Sequence, residues 1–125
     1  MVKITLTGDV PSKKNKFRVV TNKKTGKPFI LSSVTNGEWY NRAMSHLLEN
    51  CSKLAFPDDN KLILEMKFYS ETARAADLDN KATTVLDLLQ EARIIENDNW
   101  NIVTKLILEY GGKDKENPRC EITIH

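Results

Sequence analysis

Two cysteines and two histidines are all that the 125 residues contain. Cys51 and Cys120 have no paired spacing, so a Cys/His zinc motif is excluded. Both are expected as reduced, buried thiols of a cytoplasmic protein, with a single disulfide between them as the other option. His46 falls among polar positions and His125 is the last residue, so histidine-based catalysis is not expected. The five glycines form no phosphate-binding loop, and no Gly-x-Ser-x-Gly run is present. No apolar stretch approaches the roughly 20 residues of a membrane helix. Met1-Val2-Lys3-Ile4-Thr5 is expected to be neither a signal nor a transit peptide. There is no internal repeat and no low-complexity tail. What is present, 40% hydrophobic and 29% charged residues, suits one soluble globular domain over 1–125 with its own core.

The net charge of +2 conceals an asymmetry. Residues 1–30 hold eight basic side chains against Asp9 alone, a balance of +7, while the remainder holds eleven basic and sixteen acidic, a balance of −5. Lys13, Lys14, Lys16 and Arg18 lie in the basic segment, which suits contact with a polyanion such as DNA. A solvated lysine-rich loop is the other reading of such a run.

Hydrophobic periodicity orders the chain. Val2, Ile4 and Leu6 alternate with polar residues as a first strand. Gly8-Asp9 and Pro11-Ser12 break it. Phe17–Thr21 and Pro28–Leu31 suit a hairpin across a long basic loop. Thr35 and Glu38 fit a capping box, opening a helix over about 36–53 with Tyr40, Ala43, Met44, Leu47, Leu48 and Cys51 on one face. Trp39 either joins that stripe or stacks on a nucleic acid. Pro57-Asp58-Asp59-Asn60 is a turn. Leu62, Leu64, Met66 and Phe68 then mark a long strand. Ala82, Val85, Leu86, Leu89 and Ala92 mark a second helix over about 80–93, which Ile94-Ile95 closes onto the core. Ile102–Tyr110 is a strand, Gly111–Pro118 a hairpin loop, and Cys120, Ile122 and Ile124 lie on a last strand. The predicted fold is α+β, a mixed or mostly antiparallel sheet with two main helices packed on one side.

The chemistry concentrates at Asp77-Leu78-Asp79-Asn80 and Asn97-Asp98. In an extended segment, positions i and i+2 point to one side, so Asp77 and Asp79 are expected to aim at one point. Asp79 or Asn80 would cap the second helix, where the macrodipole favours negative charge. Asp98 follows 21 positions after Asp77, and a helix out with a turn back is expected to return it to the same place. Three such carboxylates suit Mg²⁺, which lowers the pKa of a bound water and steadies charge on an attacked phosphate. A nearby lysine would stabilise the developing oxyanion. Capping and turn formation explain the same residues without a metal.

At these residues the chain resembles the RusA family of Holliday junction resolvases. The matching pieces are Pro11-Ser12-Lys13-Lys14-Asn15, Ala76-Asp77-Leu78-Asp79-Asn80, Val85-Leu86-Asp87-Leu88-Leu89 and Asn97-Asp98, in order over nearly the whole chain, with the family's layout of final strands. The resemblance implies a Mg²⁺-dependent homodimeric endonuclease of DNA recombination and repair, common in prophages, that nicks four-way DNA junctions symmetrically. It implies catalytic, metal-binding roles for Asp77, Asp79 and Asp98. The family's catalytic lysine, three residues after the motif's asparagine, is replaced here by Thr83. Lys81 lies about 200° round a helix from that position and is instead expected to meet DNA. Lys105, or a basic residue of a second subunit, is the expected replacement. The family's paired aspartates in the later turn are reduced to Asn97-Asp98. A junction-binding protein with little or no nuclease activity is the alternative that Thr83 raises.

Overall fold

The computed structural model describes residues 2–12, 17–21, 23–32, 35–50 and 61–125, and gives only the backbone of 17–21, 28–32 and 35–36. The elements run β1 (Val2–Thr7), β2 (Phe17–Thr21), β3 (Pro28–Ser32), α1 (Thr35–Asn50), β4 (Leu62–Ser70), α2 (Leu78–Glu91), β5 (Val103–Lys113) and β6 (Arg119–Ile124). The expected α+β order is what forms. β2 and β3 pair as the expected antiparallel hairpin. The expected turn at 57–60 and Cys51 lie outside the described residues.

The main sheet has the order β1-β6-β4-β5. β6 is antiparallel to both β1 and β4, while β4 and β5 are parallel. This corrects one expectation. The segment Gly111–Pro118 is not a hairpin loop, because β6 inserts between β1 and β4 and leaves β5 on the edge. The physical reason lies in β6 itself. Cys120, Ile122 and Ile124 are all buried, and a central position supplies neighbours on both sides. Cys120 sits opposite Leu6 and Phe68, Ile122 opposite Ile4 and Met66, and Ile124 opposite Val2 and Leu64.

One face of the sheet carries the core. Leu62, Leu64, Met66 and Phe68 of β4 pack with Trp39, Ala43 and Leu47 of α1 and Ala82, Val85, Leu88 and Leu89 of α2. Trp39 is therefore a core residue, as its helical spacing suggested. Burial pushes the Cys120 thiol up to about 12, which keeps it protonated and inert. The opposite face is polar, with Lys3, Thr5, Glu65, Lys67, Glu109, Glu121 and Thr123 on it.

α2 ends in a Schellman motif. Ile94 N–H donates to the Leu89 carbonyl at 2.9 Å and Arg93 N–H to the Gln90 carbonyl at 3.0 Å. Ile94 and Ile95 are buried beyond it, so they close the helix onto the core as expected. Arg93 holds φ 59°, the left-handed position that glycine occupies without a Cβ penalty. Arg93→Gly should raise the unfolding free energy by about 0.5–1 kcal/mol and Arg93→Val should lower it. Urea denaturation measures both, and equal stabilities would contradict the motif's strain.

Candidate active site

Asp77 is the N-cap of α2, with extended backbone at φ −86° and ψ 128°, and Asp79 lies in the first helical turn. The helix thus starts two residues before the expected Asn80. Three closely spaced cap-forming residues, Asp77, Asp79 and Asn80, compete here, and the first one takes the role. The geometry changes with it. Leu78 and Asp79 are helical, so Asp77 and Asp79 are not alternate residues of one extended face.

Both carboxylates are exposed. Asp77 makes no side-chain bond to a helix N–H; its Oδ2 accepts from Asn80 Nδ2 at 3.4 Å. Asn80 itself is buried, and its Oδ1 finds no partner among the described residues. The positive end of the helix dipole favours the two negative charges where they stand.

Asp98 stands elsewhere. The carbonyl of its neighbour Asn99 accepts from Ile102 N–H at 3.0 Å and Val103 N–H at 2.9 Å, and Leu62 N–H donates to the Ile102 carbonyl at 2.7 Å. These bonds tie the 97–102 turn to the starts of β4 and β5. Asp77 and Asp79 belong to the other end, just after β4. Because β4 and β5 are parallel, α2 must run back along the sheet. Its 14 residues cover about 21 Å at 1.5 Å per residue. The expected return of Asp98 to Asp77 and Asp79 therefore does not occur within one chain. Among the described residues, no three His, Cys, Asp or Glu side chains gather closely enough to hold a metal. Among the described residues, the donors of one chain do not fit a three-carboxylate Mg²⁺ site.

The expected basic residues divide. Lys105 is exposed near the start of β5, opposite Ile63, so it too lies at the Asp98 end. Thr83 is exposed and its hydroxyl donates to the Asp79 carbonyl at 2.9 Å. Lys13, Lys14 and Lys16 lie outside the described residues, as does the side chain of Arg18. Lys81 points inward. Its Nζ donates to Asp9 Oδ1 at 2.8 Å and to the Val10 carbonyl at 2.6 Å, with only 14% of its side chain exposed.

Asp9 is the residue that sequence reasoning missed. Its second oxygen accepts from Glu71 N–H at 3.0 Å, so one carboxylate joins the loop after β1, the end of β4 and the second turn of α2. Thr84 Oγ1 adds a bond to the Pro11 carbonyl at 2.8 Å. Gly8 turns the chain out of β1 at φ 95°. The available signal was that Asp9 is the one acid in a strongly basic stretch.

Beside this clamp lies a cavity of about 570 Å³ lined by Asp9, Ser12, Trp39, Arg74 and Lys81 among others. Ser12 Oγ and Trp39 Nε1 are buried without a partner among the described residues. A neighbouring cavity of about 430 Å³ shares Asp9, Arg74 and Lys81 and reaches Leu78 and Tyr110. The Asp77 end is thus concave and carries both charge signs.

No protein-family model matches the chain, and no curated protein is similar enough to count as a relative.

The clamp is testable by a double-mutant cycle. Asp9→Asn and Lys81→Gln should each cost about 1.5–3 kcal/mol, the range for hydrogen bonds to charged groups. The double variant should cost less than the sum, as expected of contacting partners. Additive losses in urea denaturation would show that the two do not interact.

Proposed function

We propose that the chain is a Mg²⁺-dependent, structure-selective endonuclease that acts on four-way DNA junctions as a homodimer. The observation that carries this reading is the pair of exposed carboxylates at the start of α2, at the N-cap and in the first turn. They stand in the Asp-Leu-Asp-Asn motif, beside a concave surface lined by Arg74. The basic segment holding Lys13, Lys14, Lys16 and Arg18 suits phosphate contacts that position a duplex without reading its sequence. The resemblance in the sequence motifs supports the same substrate class.

One chain supplies Asp77 and Asp79 to a site and leaves Asp98 at the far end of the sheet. The reading therefore needs a second chain, which paired nicking of opposed strands requires in any case.

A specific observation favours a second reading, junction binding with little cleavage. The one lysine of α2, Lys81, is held by Asp9, and the next turn offers Thr83. On that reading junction affinity falls steeply with salt as counterions compete, Mg²⁺ yields no product, and Thr83→Lys raises cleavage.

A labelled four-way junction with Mg²⁺ or EDTA decides between them. Wild type should nick only with Mg²⁺. Asp79→Asn should lose about 100-fold or more, the scale on which removing a group that stabilises transition-state charge costs, with junction binding retained. Full cleavage by Asp79→Asn would overturn the site, and an inert wild type that still binds would leave the second reading.

A further inference from the structure

The two cavities at the Asp77 end adjoin and differ in character. Asp9, Val10, Arg74 and Lys81 line both, so one ligand can span them. Their volumes of about 570 and 430 Å³ each fall within the roughly 300–1,000 Å³ of small-ligand sites.

The larger cavity has its acceptors used and donors left over. Asp9 Oδ1 accepts from Lys81 Nζ at 2.8 Å and Oδ2 from Glu71 N–H at 3.0 Å. The Val10 carbonyl accepts from Lys81 and the Pro11 carbonyl from Thr84. The Thr72 carbonyl accepts from Ser70 Oγ, and Thr72 Oγ1 from Arg74 N–H. Ser12 Oγ and Trp39 Nε1, by contrast, have no partner among the described residues. Trp39 is only 5% exposed, and an indole N–H can only donate. The indole edge that bears Nε1 faces the Gly8 turn, since a Cβ on Gly8 would stand 3.2 Å from Cδ1. A buried donor left unpaired is costly, and a bound acceptor would remove the cost. No carboxylate among the described residues pairs with the Arg74 guanidinium. With Lys81 balanced by Asp9, the wall keeps the positive charge of Arg74, whose planar fork matches a phosphate.

The smaller cavity suits a flat apolar group. Phe68, Ala73, Leu78 and Tyr110 line it, and Tyr110 is 52% exposed. Tyr110 Oη lies 2.7 Å from Ser70 Oγ, so the hydroxyl is used and the ring is held in place. Such a wall holds a nucleobase by stacking, without reading which base it is. We propose that the two cavities together bind one unpaired nucleotide. Its phosphate lies among Arg74, Ser12 and Trp39, and its base lies against Tyr110 and Leu78. The nucleotide is either free or an unpaired unit of a DNA strand, and the same groups recognise it in both forms. Neither a metal nor cleavage is needed to hold it, so the site is independent of the endonuclease reading.

Indole N–H signals in ¹⁵N-resolved NMR, recorded in EDTA, test the site. The chain has two tryptophans. Trp39 reports on the cavity, and Trp100, 85% exposed in the turn before β5, is the control; Trp100→Phe assigns the two signals. Thymidine 5′-monophosphate should move the Trp39 signal saturably and leave that of Trp100 in place. Thymidine and inorganic phosphate should each bind about tenfold or more weakly, because each lacks one half of the contacts. Arg74→Gln should weaken the nucleotide about tenfold or more, with circular dichroism unchanged. Tyr110→Ala should weaken the nucleotide by a similar factor and leave inorganic phosphate as it was. An unmoved Trp39 signal, equal affinity for thymidine, or full affinity in both variants would overturn the site. A short oligothymidylate separates the two sources: tighter binding than the monophosphate assigns the site to a strand, and equal binding assigns it to a free nucleotide. A chain that nicks junctions but binds no nucleotide would overturn this site alone. Nucleotide binding by a chain inert on junctions would overturn the endonuclease reading alone.

Discussion

Two parallel adjacent strands cannot be joined without a crossover that returns the chain to its starting end. In this protein α2 is that crossover between β4 and β5, and most of what distinguishes the molecule follows from it. The start of the helix is fixed at one end of the sheet and its finish at the other. Residues on either side of it in sequence are held apart in space, however close their numbers. Asp77 and Asp98 are the pair for which this matters. The same connection places β5 on the edge, since β6 occupies the other flank of β4.

What secures the helix differs at its two ends. At the finish, backbone geometry and two buried isoleucines do the work, in the manner of an ordinary helix stop. At the start, the Asp77 side chain caps no helix N–H, and further anchoring comes from outside. The loop after β1 is held by Lys81, Thr84 and Glu71 N–H through Asp9, Val10 and Pro11. Asp77 and Asp79 remain exposed at this anchored end. A positive charge that the sequence suggested for a ligand is occupied in that anchoring.

Local patterns were legible where a residue's environment depends on its near neighbours. The alternation in β4 and β6, the buried stripe of α2 and the place of Trp39 all follow from period and side-chain type, whereas Leu48 of the expected α1 stripe is 51% exposed. Boundaries were less so, because Asp77, Asp79 and Asn80 are chemically equivalent caps. Pairing partners were not legible at all. Gly111-Gly112 followed by polar residues has the composition of a hairpin, and nothing in that stretch says that β6 travels past β4 to sit beside β1. The candidate site suffered from the same gap. Three aspartates at suggestive spacing are visible in the chain, but whether they meet is decided by strand order. Asp9, whose role is set by contacts more than 60 positions away, left only its isolated charge as a trace.

The central claim is therefore geometric: within one chain, the two ends of α2 keep Asp79 and Asp98 apart. Spin labels at Asp79→Cys and Asp98→Cys, in a Cys51→Ser background diluted with unlabelled protein, measure that separation by dipolar coupling. The crossover predicts a distance of about 20 Å or more, set by the rise of α2. A distance under about 12 Å, within which two carboxylates can share one ion, would contradict it.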